Sequence, residues 1–305
     1  MYSNKNLVGV TVLILIIIQS IGCLAADTGN TIHRNIFNFG HQMGYIYSRM
    51  DDAYFEKSGT WSFETGFVAF YTSKMPMVKN DEWKERLMFI IPLYFEYYPA
   101  DFVMLKLELT DLFIEFPYKS IKNTGGKSPR FETKVRLVKE KKFIPSVAFT
   151  IGVKFSSAKP YTIWKNDHNY YESNGLAGAG TGVADYFLIF SLSKKITESD
   201  YLSARIGLAP LGSPVEYVRG SAQADQIPYG VSYRKLWNKW EGVMQLSGMY
   251  NGLRATQLAH YSVLRLQIKR LFNRSTFTLN LEKGLTRESD EWVAGFYQKF
   301  NFNKK

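Results

Sequence analysis

The sequence predicts an all-β protein: an antiparallel transmembrane β-barrel of about twelve strands, with fourteen possible, behind a cleaved signal peptide. Three observations lead there. Segments of about ten residues alternate apolar and polar side chains, the two-residue period of a strand with one apolar face. The polar set carries full charges, which are costly against a dry core and tolerable in a wet or hydrogen-bonded bore. The gaps between segments alternate long and short, as in barrels with long loops at one end and tight turns at the other.

Residues 145–155, PSVAFTIGVKF, show the alternation best: Val147, Phe149, Ile151, Val153 and Phe155 share one face, and Ser146, Ala148, Thr150, Gly152 and Lys154 the other. In 130–139, Phe131, Thr133, Val135 and Leu137 oppose Arg130, Glu132, Lys134 and Arg136. Segment 183–194 sets Ala184, Tyr186, Leu188, Phe190 and Leu192 together, 261–271 sets Leu264, Leu266 and Ile268 together, and 275–284 does so with Phe277, Leu279 and Leu281. The last segment, 291–302, places Trp292, Ala294, Phe296, Phe300 and Phe302 on one side. Less regular segments are 61–73, 86–98, 102–116, 201–209, 227–235 and 242–250. Pro92 lacks the donor a ladder needs, so a distortion is expected there. In 102–116 the apolar parity flips from Val103, Leu105, Leu107 and Leu109 to Leu112, Ile114 and Phe116, which predicts a bulge near Thr110-Asp111 or an early strand end.

Counted from residue 61, the odd gaps run 12, 13, 27, 17, 10 and 6 residues and the even ones 3, 5, 6, 6 and 3. Aromatic residues make up 16% of the chain, with 20 Tyr and 22 Phe, and gather near strand ends, as at Tyr94, Tyr97, Tyr98 and Phe102 and at Trp237 and Trp240. Rings at those positions suit lipid headgroup girdles.

The N-terminus carries Lys5, an apolar run from Leu7 to Ile18 and small residues before Asp27, the layout of an export signal covering residues 1–26. A lipid-modified Cys23 is the competing reading of the same stretch. Cys23 is the single cysteine, so the mature chain has no disulfide to rely on. Residues 27–60 form an N-terminal extension, a plug or an extra strand; 61–302 form the barrel; 303–305 form a short tail. Removing residues 1–26 leaves 38 − 1 = 37 bases against 27 acids, a net charge of +10. For an exported β protein that charge points to outer-membrane lipids, lipopolysaccharide or anionic solutes as partners, and the export signal with the barrel pattern points to the outer membrane of a Gram-negative-type bacterium as the location. The bases are spread along strands rather than gathered in a binding motif, so no nucleic-acid partner is expected.

Motifs for chemistry are weak. His33, His41, His168 and His260 lack metal-ligand spacing, and no metal site or cofactor is expected. The segment 165–175, with Asp167, Asn169, Glu172 and Asn174, does not match a calcium-loop spacing and reads as a solvated loop. The Gly-rich 175–182 precedes a strand rather than following one, unlike a phosphate-cradling loop. His260 and Ser262 share a strand face but have no visible third group or oxyanion hole. A non-enzyme is expected.

Three stretches, KVRLVKEKKFIPSVAFTIGVKFSSAKP (134–160), GTGVADYFLIFSLSKKI (180–196) and LNLEKGLTRESDEWVAGFYQKF (279–300), resemble outer-membrane proteins of the MetA-pathway-of-phenol-degradation-like type. Ser128-Pro129 and Phe155-Ser156-Ser157 depart from that pattern. The resemblance implies an outer-membrane barrel of transporter type and brings no catalytic residues. The expected function is a channel or transporter for small anionic or aromatic solutes. Arg86, Glu96, Lys106, Glu108, Lys134, Arg136, Lys154, Asp185, Arg205, Arg265, Lys269, Glu282 and Lys299 are the charged residues expected to line its lumen. The alternative is an adhesin or structural protein acting through loops 156–182 and 210–226.

Overall fold

The alternating segments pair with one another in sequence order until the last meets the first. The computed structural model describes residues 52–72, 86–109, 112–118, 121–126, 129–155, 163–165, 171–173, 185–209, 226–250, 261–286, 289 and 291–302. Its strands are β1 (Trp61–Thr72), β2 (Arg86–Ile91), β3 (Leu93–Ala100), β4 (Val103–Glu108), β5 (Leu112–Tyr118), β6 (Ile121–Gly126), β7 (Arg130–Val138), β8 (Ser146–Lys154), β9 (Ile163–Lys165), β10 (Tyr171–Ser173), β11 (Asp185–Lys195), β12 (Asp200–Leu208), β13 (Ile227–Trp237), β14 (Trp240–Tyr250), β15 (Tyr261–Leu271), β16 (Ser275–Gly284) and β17 (Trp292–Phe302).

Three staves of the wall are strands interrupted once: β2 with β3, β4 with β5, and β6 with β7. β9 and β10 form a separate small hairpin. The remaining pairings close a twelve-stave antiparallel barrel, sealed where β1 pairs with β17 from Trp61↔Phe302 to Tyr71↔Trp292. Closure leaves the ladder with no free edge along that seam, the condition for a sheet to sit in hydrocarbon. The seam is tight at Gly66, where a Cβ would fall 2.1 Å from the Phe296 carbonyl oxygen. Trp61 and Phe302 stack across its outer side with ring centroids 4.0 Å apart.

The irregularities have local causes. Pro92 separates β2 from β3, although both continue the same register against β1. Between the pairs Ile91↔Leu112 and Tyr94↔Glu108 the register shifts by one residue. The parity flip predicts such a shift, and Thr110 and Asp111, where the bulge or early strand end is expected, lie outside the described residues. One expectation is corrected: 117–129 is not a loop, because β5 continues to Tyr118 and the chain returns as β6. The sequence IKNTGG has no alternation, and its place in the wall comes from backbone pairing with β5. The predicted gap 236–241 also shrinks. β13 and β14 meet in a two-residue turn with Trp237 opposite Trp240 and Asn238 at φ 55°, a left-handed conformation Asn tolerates.

The two faces of the wall differ in chemistry. Outward residues are apolar, among them Ile151, Tyr186, Phe190, Leu266, Leu279 and Phe296, all exposed. Their strand neighbours Thr150, Ser191, Arg265, Asn280 and Glu282 are buried on the other side. An apolar exterior around a polar interior is the reverse of a water-soluble fold.

Candidate functional site

The bore is built from every second residue of each stave, so its chemistry can be followed strand by strand. Near the short turns it is polar. Ser62 and Glu64 of β1, Ser146 and Thr150 of β8, Ser191 and Ser193 of β11, Ser203 and Arg205 of β12, and Glu241 and Gln245 of β14 are buried there. Toward the other end the buried residues include two apolar clusters: Val68, Phe70, Met88, Ile90, Val293 and Tyr297, and Phe187, Ile189, Ala209 and Met249.

Most charged side chains in the bore are matched. Arg265 donates to Glu282 through Nε at 2.8 Å and Nη2 at 2.7 Å, a fork on one carboxylate oxygen, and the two residues are 2% and 0% exposed. Asn280 Nδ2 donates to the same oxygen at 2.9 Å. Lys269 pairs with Glu241 at 2.7 Å and Lys299 with Glu96 at 2.6 Å. Glu132 receives Arg130 and, at 3.8 Å, Lys106, while the Arg130 guanidinium lies 4.4 Å from the Phe187 ring centroid. Buried charges with fixed partners of this kind hold neighbouring staves in register.

A segment ahead of β1 enters this space. The backbone N–H of Ala53 donates to Ser193 Oγ at 2.8 Å, and Ser146 Oγ donates to the Ala53 carbonyl at 2.9 Å. Lys134 Nζ donates to the Asp52 carbonyl at 2.8 Å, and Arg234 Nη1 to Asp52 Oδ2 at 2.9 Å. Tyr54 stands edge-on to Tyr201 and donates its hydroxyl to Glu140 Oε2 at 2.7 Å. Phe55 lies under Lys134 and Arg136 and against Tyr98, and Gly59 donates to the Tyr98 carbonyl. One short stretch thus touches β3, β7, β8, β11, β12 and β13, which is possible only from inside the barrel. Residues 52–59 form a strap across the bore near the short turns.

The strap's fastening outside the wall strands has its own electrostatics. Burial, and then the bond to Glu140, push the Tyr54 hydroxyl pKa up, so it remains a donor. Burial raises Glu140, but Tyr54, the Lys195 N–H and the Lys194 ammonium outweigh it and hold the carboxyl below its ordinary value.

Of the charged residues singled out from sequence, Lys106, Glu108, Lys134, Lys154, Arg205, Arg265 and Glu282 are buried on the inner face. Glu96, Lys269 and Lys299 are partly covered there in the ion pairs above, and Arg136 reaches the strap through Phe55. Arg86 and Asp185 open β2 and β11, and their side chains lie outside the described residues. Sequence reasoning missed Glu241, because β14 starts at Trp240, two residues before the segment 242–250 that the pattern delimits. The structure places it opposite Lys269. It also missed Asp52 and Tyr54, which sit in a stretch with no periodicity.

The four histidines, the segments 166–170 and 174–182 and most of loops 156–182 and 210–226 lie outside the described residues. Among the described residues no group of three or more His, Cys, Asp or Glu is placed to hold a metal ion.

Fold and bore together define a membrane-spanning twelve-stranded β-barrel. An outer-membrane channel from Pseudomonas putida F1 has a similar fold, with a TM-score of 0.60 at 12% identity over 83% of this chain and 100% of that one. The toluene transporter TbuX of Ralstonia pickettii matches with a TM-score of 0.41 at 8% identity, over 81% and 89% of the two chains. The translocator domain of the autotransporter NalP from Neisseria meningitidis gives 0.46 at 10%, over 82% and 90%. No protein-family model matches this chain, and no curated protein matches it.

Proposed function

We propose that the protein is a gated channel of the bacterial outer membrane for small solutes, of the transporter type its resemblance to the MetA-pathway-like barrels implies. The observation that carries this reading is the strap. A polar bore crossed by a length of chain tied to six strands through side-chain contacts is a conduit with a removable stopper. The bonds at Asp52 and Tyr54 are polar and partly exposed, where water can compete for them, while those at Ala53 are buried. The similar fold of the Pseudomonas putida channel agrees with this reading.

The charge of the inner face favours anions. Among the described residues, Lys106, Arg130, Lys134, Arg136, Lys154, Arg205, Arg234, Arg265, Lys269 and Lys299 face Asp52, Glu64, Glu96, Glu108, Glu132, Glu241 and Glu282, an excess of three bases. Like charges along a pore set its ion preference. Planar-bilayer recording tests both parts. The mature chain should conduct weakly, and a chain beginning at Thr60 should conduct several-fold more with an anion-selective reversal potential. Equal conductance of the two, or a cation preference, overturns the reading.

A further inference from the structure

We propose that the short-turn rim of the barrel is a docking arc for anionic phospholipid headgroups of the leaflet it stands in. The inference rests on the membrane reading above.

The short-turn connections are 101–102, 139–145, 196–199, 238–239 and 272–274, and the last four join consecutive stave pairs around the barrel. Those four, with the strand ends beside them, display Lys141, Lys142, Lys195, Lys235, Lys239 and Arg274, all exposed. The acids among them are largely engaged. Glu140 is held by Tyr54 and Lys194, and Asp200 by Thr197, Tyr233 and, at 3.9 Å, Lys235, which leaves Glu198 as the exposed acid facing six exposed bases. The fifth turn carries Asp101 and no base, so the positive charge covers one continuous arc rather than the whole rim.

A basic arc alone would suit any anion, and the apolar side chains beside it select lipid. Phe143 is 85% exposed, Phe272 56% and Ile196 50%, each within a few residues of an exposed base. They continue the outward apolar rows of Leu137, Leu192 and Ile268 beyond the strand ends. Rings and ammonium groups are already in contact. Lys142 Nζ lies 5.3 Å from the Phe143 centroid, and the Arg270 guanidinium 4.7 Å from that of Trp240. An apolar body in the acyl boundary with a cation just beyond it is the arrangement that meets a phosphate at headgroup depth. A soluble acidic protein would leave the exposed Phe143 and Phe272 without an apolar counterpart. Negative lipid attracts clustered Lys and Arg within a Debye length of its surface.

The test is native mass spectrometry of the folded mature protein from mixed micelles holding equal amounts of phosphatidylglycerol and phosphatidylethanolamine. The wild type should retain phosphatidylglycerol several-fold over phosphatidylethanolamine. The quadruple variant Lys141→Gln, Lys142→Gln, Lys239→Gln and Arg274→Gln should fall to parity while keeping heat-modifiable gel mobility as a sign of an intact barrel. Parity in the wild type, or an unchanged preference in a folded quadruple variant, overturns the proposal and leaves the channel reading standing. A chain that folds in buffer and fails to enter lipid vesicles at all overturns both.

Discussion

The two ends of the bore are buried by different means. Toward the long connections, Val68, Phe70, Met88, Ile90, Val293 and Tyr297 cover one another, while at the short-turn end Ser146, Ser193, Lys134 and Arg234 hold a strap by hydrogen bonds. Apolar packing is non-directional and loses contacts in proportion to any gap that opens. Hydrogen bonds exchange with water at little net cost. The first end therefore suits a permanent wall and the second an opening that can be made and closed. Between them the Arg265–Glu282 fork is neither, since a charge buried that deeply cannot lose its partner and remain in place.

Four experiments break or sharpen this contrast. The largest effect is expected at the fork. Arg265→Leu leaves Glu282 buried and uncompensated and should destabilise the barrel by roughly 3–5 kcal/mol. The double variant Arg265→Leu, Glu282→Leu should recover most of that loss in urea-dependent refolding into vesicles. A double variant as unstable as the single one would show that the fork fixes register by more than charge. Next, Phe70→Ala removes a fully buried ring and should cost about 3 kcal/mol by the same assay. An unchanged midpoint would mean that the long-connection end is not held by packing.

A smaller stability effect with a larger functional one is expected from Asp52→Asn with Tyr54→Phe. The Arg234–Asp52 pair is partly exposed, so stability should fall by about 1 kcal/mol or less. Open probability in planar bilayers should nevertheless rise several-fold, and a flat record would show that the strap does not gate.

The smallest effect is one of pH. Because Glu140 is held below its ordinary 4.5 in the folded protein, its contribution is present above that value and fades as pH falls through the depressed one. Acidification below about 4.5 should loosen the strap, and Glu140→Gln should remove most of that pH dependence of conductance. An unaltered acid profile in Glu140→Gln would assign the pH response to another group.

Comparing sequence with structure shows which features are local. The face of Val147, Phe149 and Ile151 was readable because side chains alternate across any strand whatever its neighbours are. The one-residue register shift between the pairs Ile91↔Leu112 and Tyr94↔Glu108 was readable for the same reason, since one extra residue inverts parity. The ribbon through β6 was not, because its pairing is made by backbone groups that every residue carries. A plug is among the readings of 27–60, but the residues that hold it were not legible: Asp52, Ala53 and Tyr54 show no period, and their partners lie between 82 and 182 residues away.

The amino-acid order alone determined which half of each stave meets hydrocarbon and that there are about twelve staves, because these follow from a two-residue period and chain length. Tertiary structure decided which charge meets which and what crosses the bore. Arg265 finds Glu282, and Asp52 finds Arg234, only once closure sets the stagger of the staves and brings distant residues within bonding distance.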